Sequence, residues 1–156
     1  MQIMIDICRK KKLNKIELSD NSNITCGKNK LQLYFLKTIT QGHPHYWKYG
    51  FRPYDDVDKT IIKENYSKFK GDPTISCEEL KKIIKGKGKK EMIDDIVKNV
   101  NKFNKNISIK NFIGSFTKDL NDIDKCDFIN NIYIDLFHKA GYKTISSGYE
   151  MILDKN

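Results

Sequence analysis

Gln41-Gly42-His43-Pro44-His45-Tyr46-Trp47-Lys48-Tyr49-Gly50-Phe51-Arg52-Pro53-Tyr54 holds the only Trp of the chain, two of its 3 His and two of its 3 Pro. Aromatic side chains carry the largest apolar area per residue. A cluster this dense in a Lys- and Asn-rich chain must therefore be buried or line a cleft. Pro53 pushes Arg52 out of the helical region, so Gly50-Phe51-Arg52-Pro53 ends the preceding element and restarts the chain as an extended segment. The rest of the chain is expected to be built around this corner.

Upstream, Met1–Lys12 reads as a helix: Ile3 and Ile7, with Met4 and Cys8, recur at helical spacing, and Arg9–Lys12 place positive charge at its C-terminal end. Ile16 and Leu18 alternate in a short strand over Lys15–Ser19, and Asp20–Lys30 reads as a polar loop. Lys30–Thr40 fits helix through Leu31, Phe35 and Ile39 and strand through Leu31, Leu33 and Phe35; helix is favoured. Gly42 ends it. His43–Tyr49 then reads as a short helix with Pro44 in its first turn, and Phe51–Tyr54 as an extended exit.

Downstream the pattern turns helical. Val57, Ile61, Ile62, Tyr66 and Phe69 predict a helix over Asp55–Phe69, and Gly71-Asp72-Pro73 breaks it. Ser76 with Glu79 three residues on forms a capping box for a helix to about Lys85. Gly86-Lys87-Gly88 interrupts, and Glu91–Phe103 resumes. Ser108–Leu120 and Asp124–Ala140 follow, the latter closed by Gly141, and Lys143–Leu153 reads as a terminal strand kinked at Ser146-Ser147-Gly148. The fold class is α+β, divided into residues 1–54, a helical module over 55–141 and a returning strand over 142–156.

The formal net charge is +9, yet of 29 basic residues only Arg9 and Arg52 are Arg. A basic chain is drawn to nucleic acid, phosphorylated cofactors or acidic proteins. Base-edge readout prefers Arg, so nonspecific attraction is expected instead of sequence recognition. Cys8, Cys26, Cys77 and Cys126 are widely spaced without a Cys-x-x-Cys pair, which favours free thiols in a reducing compartment over a disulfide framework. Met1–Cys8 is short and interrupted by Asp6, and no apolar run approaches the roughly 20 residues that span a bilayer. The expected class is a soluble intracellular protein without a membrane partner.

Tyr46-Trp47-Lys48-Tyr49-Gly50-Phe51 resembles the Tyr-x-x-x-Gly-Phe signature near the end of acyltransferases of the GNAT superfamily. The order of elements before it, and the closing segment Tyr149–Leu153, are similar to that fold as well. The long helical stretch after Gly50-Phe51 resembles small acetyltransferase-like proteins of large DNA viruses, which would locate the chain in the host cytoplasm or the virion. The resemblance implies a partial GNAT-like sheet-and-helix core with a helical C-terminal extension. It also implies an ancestry in acetyl-CoA-dependent N-acetyl transfer. Tyr46 would then protonate the departing thiolate; the alternative is that it packs in the corner, as Tyr49 and Phe51 do. The family's cofactor loop would precede Met1, so loss of activity is expected over retention.

Another phosphate cradle is offered by Gly86, Lys87, Gly88 and Lys89, where a basic Gly-x-Gly opens the helix from Glu91; the alternative there is a solvated loop. His43 and His45 with Cys26 form a weak zinc candidate, and no metal is expected. Asp55-Asp56-Val57-Asp58 reads as a helix opening. Two further expectations stand beside acyl transfer: a basic protein binding nucleic acid or an acidic protein, and a homo-oligomer.

Overall fold

A computed structural model describes residues 1–19, 22–101, 106–118, 122–146 and 149–152. Helix α1 (Gln2–Lys10) turns Ile5 inward and leaves Ile3, Met4 and Ile7 exposed. Strand β1 (Lys15–Leu18) follows, then β2 (Asn23–Cys26) and β3 (Asn29–Gln32), then helix α2 (Leu33–Gln41). A 3-10 turn over His45–Tyr49 ends at Gly50 and leads into the two-residue strand β4 (Arg52–Pro53). Helix α3 (Asp56–Lys70) opens on Asp55, whose carboxylate accepts from the amides of Val57 and Asp58. Beyond it come β5 (Thr74–Ser76), α4 (Cys77–Ile84), α5 (Lys90–Val100), β6 (Asn106–Ser108), α6 (Ile109–Thr117), α7 (Ile123–Lys139) and β7 (Tyr149–Ile152).

The architecture is α+β, with small antiparallel sheets. Strand β7 lies between β1 and β4, pairing Ile16 with Met151 and Pro53 with Tyr149. Under this sheet a small cluster forms from Ile5, Ile16, Phe51, Ile62, Tyr149 and Met151. The larger core gathers around α7, which buries Cys126, Phe128, Ile129, Ile132, Tyr133, Leu136 and Phe137. That side chain set covers more than a narrow stripe, so α7 can face α2, α4 and α6 together.

One local device is used twice. Thr74-Ile75-Ser76 and Asn106-Ile107-Ser108 pair with each other, and each runs straight into a helix capped by its own serine: Ser76 Oγ accepts from the Glu79 amide, Ser108 Oγ from the Asn111 amide. The cap satisfies a helix-end donor while the isoleucine between buries into the core.

Several expectations are corrected. Residues expected as a polar loop form the hairpin β2–β3 around Gly27-Lys28. Lys30–Thr40 is neither all helix nor all strand: Leu31 obeys the strand alternation and Phe35 and Ile39 the helical one, with the change at Leu33. Cys26 and Cys126 form a disulfide that joins this hairpin to α7, and only Cys8 and Cys77 are free. The terminal strand is confined to Tyr149–Ile152, and its expected kink at Ser147-Gly148 lies outside the described residues. The ends expected at Phe103 and Leu120 also lie outside them.

Candidate functional site

Gly50 ends the turn and Phe51–Pro53 leaves it extended, as expected. The turn is a 3-10 turn starting at His45, however, and the rest of the chain is not built around this corner: the larger core gathers around α7. Gly50 adopts φ +93 and lets the chain leave the 3-10 turn, while Phe51 is fully buried behind it. The half-buried Tyr46 meets Phe51 and Tyr149 edge-on, with ring centroids 6.1 and 5.9 Å away, and His45 at 5.3 Å. Tyr46 is thus one member of an aromatic cluster on β4 and β7. The Arg52 guanidinium lies 3.7 Å over the Trp47 ring and donates to the carbonyl oxygens of Trp47 and Phe51. Burial draws its pKa down, but a guanidinium this basic remains charged. It forms no ion pair among the described residues.

Beside this corner, the end of α2 and the face of α3 enclose a cavity of about 450 Å³, lined by Trp47, Tyr66, Phe69, Ile62, His43 and Lys63 together with Gln41. Among the described residues no carboxylate lines it.

The basic Gly-x-Gly lies beside the other core. Gly86 turns with φ +71, and a Cβ on Gly88 would stand 2.8 Å from Met92 Cε and 3.3 Å from the Phe128 ring. A side chain at this second glycine would displace the flexible end of Met92 and crowd the Phe128 ring of α7. Asn131 Nδ2 donates to the Lys87 carbonyl at 3.1 Å, and Lys89 Nζ pairs with Asp124 at 2.6 Å, which raises the pKa of that lysine. Gly86, Lys87, Gly88 and Lys89 therefore come together as a structured bend. They lie at the surface against α7, beside the larger core, and not at the Tyr46 corner.

Lysine density is highest here: Lys81–Lys90 holds six Lys and no acidic residue. Lys81 pairs with Glu78 at 2.9 Å, and Lys139 neutralises Glu79. Lys82, Lys85, Lys87 and Lys90 form no ion pair among the described residues. Glu91, Asp94 and Asp95 follow on α5 and bound the patch on that side.

No family model, curated protein or solved structure matches this chain. Function has to be read from its own side chains.

The weak zinc candidate does not assemble, because Cys26 is bonded to Cys126; among the described residues no three His, Cys, Asp or Glu side chains converge. Asp55 and Asp56 open α3 as expected, while Asp58 is buried and accepts from the Ser146 amide. The strand pairs among the described residues are all antiparallel. The cavity was missed by sequence reading. Ile62, Tyr66 and Phe69 read as a core face, and only the 41% exposure of Tyr66 shows that this face continues beyond the core.

Proposed function

We propose that this protein binds the phosphate backbone of duplex nucleic acid, without sequence preference, through the α4–α5 bend. The observation that carries the reading is the run Lys81–Lys90, in which Lys82, Lys85, Lys87 and Lys90 are left without carboxylate partners on a bend held by α7. Lysine is a point charge that neutralises phosphate without reading base edges. Glu91, Asp94 and Asp95 repel phosphate, so the strand approaches from the α4 side of the bend.

The test removes equal charge from two places. Replacing Lys82, Lys85, Lys87 and Lys90 together by Ala abolishes duplex binding at low salt. Replacing Arg9, Lys10, Lys11 and Lys12 by Ala weakens it several-fold less. Equal losses would mean that net charge alone attracts the duplex. Binding to an acidic protein that duplex does not displace would count against the reading.

A second reading keeps the expected acyl transfer with acetyl-CoA as cofactor. What supports it is Tyr46, half-buried where the corner meets β7, an environment in which a phenol can serve as general acid to a thiolate. It carries less, because the basic Gly-x-Gly lies against α7, away from the Tyr46 corner. Calorimetry decides: heat at micromolar acetyl-CoA supports it, and none at millimolar concentration ends it.

A further inference from the structure

The cavity at the aromatic corner is built from other elements than the lysine bend and does not depend on the duplex reading. Ile62, Tyr66 and Phe69 stand at i, i+4 and i+7 on α3 and so share a face. The Tyr66 and Phe69 rings lie nearly parallel, 18° apart with centroids 6.4 Å from each other. Gly42, at φ +80, lies against both: an added Cβ would stand 2.7 Å from the Phe69 ring and 2.9 Å from that of Tyr66. Glycine there lets the end of α2 close onto the ring pair and brings His43 and Trp47 around the cavity. Lys63 is exposed on the rim and has no ion pair among the described residues.

We infer that this cavity binds a nucleotide, its base against the Trp47, Tyr66 and Phe69 rings and its phosphate on Lys63. Flat aromatic surfaces left partly open to water favour a planar π-system. A lysine on the rim of a cavity with no carboxylate among its described lining favours an anion, and the charge of Arg52 on the Trp47 ring adds to that preference. An apolar ligand would leave Lys63 unused, and an inorganic anion would leave the rings unused. A volume of about 450 Å³ falls in the range of small-ligand sites. The nucleotide can be free or a residue of a single strand; the chemistry is shared.

Trp47 is the only Trp in the chain, so its fluorescence reports on this cavity alone. Titrating the full chain with AMP gives saturable quenching, and saturation-transfer NMR shows the adenine protons in contact with protein. Ribose 5-phosphate and adenosine, each lacking one half of the ligand, bind about tenfold more weakly or worse. Tyr66→Ala and Lys63→Ala each weaken AMP by about tenfold; both side chains are exposed, so neither substitution opens the core. Single-stranded oligo(A) that binds more tightly than AMP assigns the site to a strand, and equal or weaker binding assigns it to free nucleotide. The inference is overturned if millimolar AMP gives neither quenching nor saturation transfer. It is also overturned if ribose 5-phosphate matches AMP, or if both variants bind as the parent does. Failure of duplex binding leaves all these readouts intact.

Discussion

Asn65 holds the backbone of Lys143 from both sides: its Nδ2 donates to the Lys143 carbonyl at 2.8 Å and its Oδ1 accepts from the Lys143 amide at 2.9 Å. The Tyr34 hydroxyl donates to the same carbonyl at 2.7 Å. Two turns earlier on α3, Asp58 accepts from the Ser146 amide at 3.2 and 3.1 Å through its two oxygens. Residues 143–146 have no strand partner among the described residues, and side chains of α3, with Tyr34 of α2, bond their backbone instead. This clasp delivers the chain to β7, on which β1 and β4 both depend.

Asn65→Ala removes the partner of the Lys143 amide and leaves the Lys143 carbonyl with the Tyr34 hydroxyl alone. One partly buried group left without its partner costs about 1–3 kcal/mol, so urea denaturation should show a loss of roughly 1–2 kcal/mol. An unchanged midpoint would mean that the clasp follows β7 and does not hold it.

The Cys26–Cys126 disulfide spans 100 residues of sequence. On the chain-entropy view a loop of that size contributes about 4–5 kcal/mol. Reduction, or Cys26→Ser with Cys126→Ser, should therefore lower the urea midpoint substantially. Thiol titration of unreduced, denatured protein should find two thiols, Cys8 and Cys77; four would contradict the pairing.

Burial pushes the Tyr142 phenol up to about 12 from an ordinary value near 10, with Asp72 adding to the shift. Its hydroxyl has no hydrogen-bond partner among the described residues. The sign follows from linkage. A raised folded pKa gives stability that is complete below about pH 10 and is lost as pH climbs toward 12. Tyr142→Phe should remove that alkaline decline and raise neutral-pH stability by about 1 kcal/mol. A melting temperature that falls with pH equally in both proteins would assign the decline to other groups.

The acidic face of α5 limits the approach of phosphate to the bend. Asp94→Asn with Asp95→Asn should tighten duplex binding several-fold at low salt, since both side chains are exposed beside the lysine run. No change in a filter-binding titration would place the duplex elsewhere on the surface.

Much of the fold was legible where periodicity is long or chemistry is local. The α7 stripe, the Ser76 cap, the Gly50 corner and the strand at Lys15–Leu18 all follow from single segments. The β2–β3 hairpin was not legible. Its strands are four residues each, and Asn, Thr and Lys dominate them; only Ile24, Cys26 and Leu31 mark the inner face. The disulfide depends on that hairpin meeting α7, which no local pattern announces. The clasp was invisible for the same reason: Asp58 and Asn65 look like ordinary polar positions of an exposed helix. Of the candidate sites, the corner and the lysine run could be read directly. Their separation into two cores could not, because it is decided by which faces α2 and α7 share.

The most direct measurement is the salt dependence of duplex binding. Four unpaired lysines that each displace a counterion give a slope of about −3 to −4 in log K against log salt, and the fourfold Ala variant should leave no binding to titrate. A slope near zero, or no binding at low ionic strength, contradicts the phosphate-binding role of the bend.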